Sequence, residues 1–178
     1  MPEGENEWSE SLLRSSSTLS VGSFVIGTWM AFLTMLNIVL GAYSEGMKVN
    51  WIDFFMNGNN THSTHEIGVE MGDIAFGILS IIVIFIGYVG IDASTEGGFG
   101  RWIKNLPRDV KITSLFSSEN GIERTLASWM VLLGGLFYFV WSTIETTWVD
   151  PGVYSVTISL IAIGMGLHWI QDSKVSSD

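Results

Sequence analysis

Apolar residues in this chain gather into four long runs instead of spreading along it. They are Val21–Tyr43 "VGSFVIGTWMAFLTMLNIVLGAY", Ile74–Ile91 "IAFGILSIIVIFIGYVGI", Leu126–Ile144 "LASWMVLLGGLFYFVWSTI" and Val153–Ile170 "VYSVTISLIAIGMGLHWI". None holds Asp, Glu, Lys or Arg. A helix needs about 20 such residues to cross about 30 Å of hydrocarbon, and in lipid a helix satisfies its own backbone polar groups. The pattern predicts an all-α integral membrane four-helix bundle with cytoplasmic N- and C-termini. Its spans are expected at 21–43, 73–92, 126–145 and 152–171. An external loop 44–72, a cytoplasmic loop 93–125 and a short external turn 146–151 join them into one membrane domain, 21–171. A polar, serine-rich, mobile segment 1–20 precedes it, with a short amphipathic turn at Trp8, Leu12 and Leu13, and a tail 172–178 follows. A soluble bundle fits poorly, because soluble amphipathic helices keep a polar face. The first run is read as a retained span. Glu3, Glu5, Glu7 and Glu10 precede it, and it exceeds the roughly 7–15 residues of a signal-peptide core.

Basic residues set the threading. Arg101, Lys104, Arg108, Lys111 and Arg124 lie between spans two and three, Arg14 precedes span one and Lys174 follows span four. Only Lys48 falls in the loop between spans one and two. Seven against one places both termini and the 93–125 loop inside, since Lys and Arg near span ends govern orientation. Trp51 and Trp148 then fall at the outer boundary, and Trp102, Trp129 and Trp169 at the inner one, where amphipathic rings collect. Trp29 and Trp141 fall deeper and are expected between helices.

Local signals mark the element ends. Asn50 and Gly58 bracket a short interfacial helix at "WIDFFMNG". Ser63 and Glu66 read as a capping box before span two, and Asn120 with Glu123 as a cap for span three. Asp150-Pro151 is an N-cap followed by proline at the first helical position. "EGGFG" (96–100) reads as a flexible hinge, and Pro107 interrupts any single helix after it. The basic, apolar stretch 101–111 suits anionic lipid headgroups.

Small residues recur at helical spacing: Ser23, Gly27 and Ala31 in span one, Ser155 with Ser159 and Ala162 with Gly166 in span four, and Gly134 with Gly135 in span three. They let helices approach closely in lipid. Asn37, the most polar side chain within a span, is expected to hydrogen-bond between helices.

Composition narrows the chemistry. The 178 residues carry 18 acids, 8 Lys and Arg and no cysteine, for a net charge of −10. This acidic, lysine-poor balance resembles the compositional style of salt-loving archaea, because dense negative charge keeps a surface hydrated when salt screens it. Disulfide and thiolate chemistry have no residue to use. Ion-coupled transporters place ionisable groups in the membrane; here the runs hold only His168, read as an interfacial side chain beside Trp169. Paired haem ligands are missing. "HEIGV" (65–69) opens like the zinc motif H-E-x-x-H, but position 69 is Val. "EMGD" (70–73) ends like the G-x-G-D motif of intramembrane aspartyl proteases, but position 70 is Glu.

Two candidate sites remain outside the spans. His62 and His65, with Glu66, could ligate zinc or copper from outside, though two imidazoles make an incomplete shell. Asn59-Asn60-Thr61 is an external glycosylation sequon. No catalytic set, cofactor site or nucleic-acid surface is legible. The expected role is therefore non-enzymatic: a structural or accessory subunit in a cell membrane or virion membrane, working with a protein partner or as a homo-oligomer. The alternative is an oligomeric, holin-like pore lined by Thr28, Thr34, Ser155, Thr157 and Ser159. A weaker alternative is an external metal sensor.

Overall fold

The computed structural model describes residues 17–56, 58–119 and 121–175. The expectations for residues 1–16, for the Asn120 cap and for residues 176–178 lie outside these. In chain order the elements are α1 (Ser17–Val39), a 3₁₀ turn (Ser44–Gly46), β1 (Lys48–Val49), α2 (Trp51–Met56), β2 (His62–Ser63), α3 (Met71–Ser94), α4 (Gly98–Asn105), a 3₁₀ turn (Leu106–Arg108), α5 (Val110–Thr113), α6 (Ile122–Ile144) and α7 (Pro151–Val175). Among the described residues the regular structure is helical but for an isolated Tyr43–Met47 bridge and the two-residue antiparallel ladder β1–β2, which pairs Lys48 with Ser63 and Val49 with His62. Four helices, α1, α3, α6 and α7, are long and apolar enough to cross a membrane. The helices form two compact units.

The first unit contains α1, α2, α3 and most of α4. Glycines set the closeness of α1 to α3. A methyl group at Gly27 would lie 2.6 Å from the Ile84 amide nitrogen, and one at Gly87 would collide with the Phe24 backbone. The helices therefore meet almost backbone to backbone, which only small residues allow. At the far end of α3, Gly97 and Gly98 take positive φ (87° and 73°). The Asp92 carboxylate accepts from the Phe99 amide (2.8 Å). "EGGFG" is thus an ordered reversal that starts α4 rather than a loose hinge. α4 docks through aromatic contacts: Phe99 and Trp102 pack edge-on to Phe24 (5.1 and 6.0 Å between centroids), and Phe99 meets Tyr88. Pro107 falls in the 3₁₀ turn that ends α4.

The second unit contains residues 40–49, 62–66 and everything from Asn105 onward. Its core is the hairpin α6–α7. The Asp150 carboxylate caps α7 by accepting from Gly152 N (2.7 Å) and Val153 N (3.1 Å). The rings of Tyr138 and Tyr154 stack, and both hydroxyls donate to the Trp148 carbonyl (2.5 and 2.8 Å). Segment 40–49 is sewn to this turn. Trp148 N and Val149 N both donate to the Ala42 carbonyl (2.9 and 2.8 Å), and Gly46 N donates to the Thr146 carbonyl (3.1 Å). The first apolar run stops being helical at Val39, short of the expected residue 43, because the chain must turn here. Gly41 takes φ +77°, and Tyr43 N bonds back to the Met47 carbonyl.

Several positions differ from expectation. In α7 the inward residues are Val153, Thr157, Gly164 and His168, all buried. Gly164, not Ala162 or Gly166, meets α6: a methyl there would lie 2.7 Å from the Ala127 carbonyl, while Gly166 has nothing within 4 Å. Ala162, Ser155 and Ser159 are exposed. Small residues recur so often in α7 that spacing alone selects the wrong stripe. Gly134 does lie against Thr157 and Leu160, whereas Gly135 is open. Trp51 and Trp148, expected at the outer boundary, are buried within the protein; the Trp51 indole N–H donates to Asp73, and the Trp148 carbonyl accepts from Tyr138. Trp141, expected between helices, is 46% exposed. Trp129 and Trp169 are exposed, Trp29 is half-buried beside Phe32, and Trp102 is half-buried in the α4 cluster.

Close approach at these glycines is testable by substitution. Gly87→Ala and Gly164→Ala should each destabilise the detergent-solubilised protein by about 1–3 kcal/mol. Gly22→Ala and Gly166→Ala, where nothing lies within 4 Å, should be neutral or slightly stabilising through helix propensity. Unfolding titrations of the four variants read the contrast directly.

Candidate functional site

Two buried polar clusters stand out, one in each unit. In the first, Asp73 sits in the first turn of α3 and is only 2% exposed. Its Oδ1 accepts from Asn37 Nδ2 of α1 (2.7 Å) and from Trp51 Nε1 of α2 (3.1 Å). Its Oδ2 accepts from Glu70 N (3.0 Å), as part of a reciprocal capping box between Glu70 and Asp73. One carboxylate thus ties three helices together. Such charge-assisted bonds are the strong kind, and the helix N-terminus favours the negative charge. The Trp51 ring stacks on Phe76 at 3.9 Å between centroids, which fixes its indole N–H toward the carboxylate. Beside this node lies an open cleft of about 260 Å³, lined by Asn50, Trp51, Ile52, Asp53, Glu70, Met71 and Gly72.

The expected cap at Ser63 and Glu66 is corrected here. Ser63 is committed to β2, and α3 begins eight residues later, at Met71. Both S-x-x-E and E-x-x-D precede the apolar run. The second prevails because its acidic partner, Asp73, also bonds Asn37 and Trp51. Asn37 does make the interhelical bond expected of it; what the sequence concealed was its partner. At the preceding helix, the Asn50 amide donates to the Asn60 carbonyl (2.7 Å), and Gly58 takes φ +64°.

The second cluster lies in the other unit, where α5 and the ends of α6 and α7 meet. His168, expected at an interface beside Trp169, is instead 1% exposed. Its Nε2 lies 3.2 Å from Ser128 Oγ, and Ser128 Oγ donates to the Lys111 carbonyl (2.6 Å). A serine has one hydrogen to give, so Nε2 must carry the proton that Ser128 accepts. Nδ1 is then a bare acceptor, buried without a partner. Nearby, Arg124 pairs with Asp172 (2.7 Å), and Gln171 Nε2 donates to Glu123 (2.6 Å). These consecutive pairs join the start of α6 to the end of α7. Ser128 was not singled out from sequence and Arg124 was read only for its part in threading, because a serine in an apolar run and an arginine at its edge look like packing or solvated residues.

The candidate metal ligands belong to neither cluster. His62 lies on β2 with its ring stacked on Tyr43 at 4.5 Å. His65 has its Nε2 buried without a partner, and Glu66 is exposed. Among the described residues no group of three or more His, Asp or Glu side chains could hold a metal ion. Asn59 of the sequon is exposed, next to Asn60 at φ +52°. Lys48, the one basic residue assigned outside, is 1% exposed within the second unit. Of the hydroxyls considered for a pore, Thr28, Thr34 and Ser155 donate to carbonyls of their own helices. Thr157 Oγ1 is buried and unpartnered, and Ser159 is exposed.

Comparison with protein-family models, curated proteins and solved structures gave no match.

The Asp73 node generates a coupling test. Asp73→Ala strands the Trp51 and Asn37 donors and should cost about 2–4 kcal/mol. Asn37→Ala should cost far less in the Asp73→Ala background than in the wild type, a coupling measurable by a double-mutant unfolding cycle.

Proposed function

We propose that this is a non-enzymatic, four-span integral membrane protein acting by association, as an accessory or structural subunit. In this reading both termini and the loop after α3 face the cytoplasm, and Asn59 faces outside. The observation that carries it is the division of labour among small and polar residues. Gly27, Gly87, Gly134 and Gly164 sit at close approaches inside the two helix pairs. The Ser155, Ser159, Ala162 and Gly166 row of α7 stays open, and such a row lets a further helix approach closely in lipid. The span hydroxyls that bond do so mainly to carbonyls three or four residues back in their own helix, a habit that hides polarity without a partner.

The remaining surface suits lipid. Large apolar side chains are exposed along all four spans, among them Val25, Ile82, Phe85, Leu133, Val140 and Ile163. Arg101, Lys104 and Arg108 are exposed, as are the apolar Ile103, Val110 and Ile112 of the same stretch of sequence, a composition that suits the headgroup layer on an anionic leaflet. The acidic surplus is in keeping with a high-salt environment.

A pore is the second reading, favoured by the exposure of Thr28, Ser155 and Ser159. The two readings part in liposomes. Purified protein alone should leave a trapped dye and the membrane conductance unchanged; reproducible unitary currents would replace association with a pore. Threading has its own check. The chain lacks cysteine, so Asn60→Cys gives a single thiol. An impermeant reagent applied to intact cells should label it, and protection until lysis would reverse the topology.

A further inference from the structure

We infer that His168, Ser128 and the Lys111 carbonyl form an acid-opened latch that holds the α5 segment against α6 and α7. The chain of bonds runs from His168 Nε2–H to Ser128 Oγ, and from Ser128 O–H to the Lys111 carbonyl (3.2 and 2.6 Å). A helix as short as α5 leaves its last carbonyls without intrahelical partners, and Ser128 takes one of them. The closed arrangement requires a neutral imidazole with its hydrogen on Nε2.

A second proton would have to go on Nδ1. That atom is buried with no protein acceptor in reach, so the new N–H would be unsatisfied, which is costly for a charged group. The charged groups around the ring do not reverse this. They are Lys111 on α5 and Arg124 on α6, and, of opposite sign, Asp109 at the start of α5 and Asp172 on α7. Asp172 is already paired with Arg124 (2.7 Å), and Asp109 caps its own helix through the Lys111 amide (2.8 Å). The proton is therefore taken when the ring reaches water, which breaks the bond to Ser128 and frees the Lys111 carbonyl. Because only the open form binds it, opening is disfavoured above the free-histidine range and grows as pH falls through that range. The latch lies on the loop that the threading above assigns to the cytoplasm. Its side of the membrane rests on that reading; its chemistry does not.

The test uses purified full-length protein in detergent micelles, so it is independent of threading, partner and conductance. Ser114 directly follows α5 and is 0% exposed, whereas Thr113 beside it is exposed. Single thiols at Ser114→Cys and Thr113→Cys are labelled with a pyridyl disulfide, and the ratio of rates cancels the intrinsic pH dependence of the thiol. Between about pH 8 and about pH 5 the ratio should rise by up to about thirtyfold, the gain expected from a group of pKa about 6.5 that binds its proton only when open. His168→Gln, whose amide can still donate to Ser128, should keep the ratio low and flat. Ser128→Ala should raise it at neutral pH and abolish its pH response. A flat wild-type ratio, an unaltered response in His168→Gln, or a Ser128→Ala variant that behaves like wild type would each overturn the latch.

Discussion

A carboxylate that cannot reach water organises one end of the first helical unit. Asp73 is buried, so it is tolerable only where donors replace its hydration. Asn37, Trp51 and the Glu70 amide supply them from α1, α2 and the start of α3. The consequences run outward from there. The α3 start moves to Met71, Trp51 turns inward onto Phe76, and α2 is drawn against the long helices. Once this end is set, Gly27 and Gly87 let α1 and α3 run close enough to exclude a side chain between them.

The second unit solves the same problem with different parts. Here the turn between α6 and α7 is satisfied by two tyrosine hydroxyls on one carbonyl, and by the Ala42 carbonyl accepting two amides. The other end closes on the Arg124–Asp172 and Glu123–Gln171 pairs and on the His168–Ser128 relay. The polar clusters of both units join helices to one another. Such use of polar residues is in keeping with the proposed role in association.

The long helices were legible because four uncharged runs of this length have few alternatives. Asp150-Pro151 was legible because an acid followed by proline is a local signal with a local cause. The clusters were harder to read because their cause is not local. Asn37 and Asp73 are thirty-six residues apart, and Ser128 and His168 forty. Nothing in periodicity pairs them. The Ser63–Glu66 cap failed for a related reason. Two capping patterns competed before one apolar run, and the tertiary partners of Asp73 decided between them. Trp51 and Trp148 were placed by depth alone, and nothing in their spacing showed that the protein would bury them. In α7, the four small residues Ser155, Ser159, Ala162 and Gly166 on one face and Gly164 on another cannot be ranked by spacing; only the position of Ala127 in α6 does so.

Association is the central claim, and the most direct measurement is the mass of the particle released from its native membrane by a mild detergent. A single chain weighs 19.6 kDa. The account predicts a discrete larger particle containing either whole-number copies of the chain or a second protein in fixed ratio, which dissociates when bulky residues replace Ser159 and Ala162 on the open face of α7. A monodisperse single chain, from native membrane and at every detergent concentration, would contradict it.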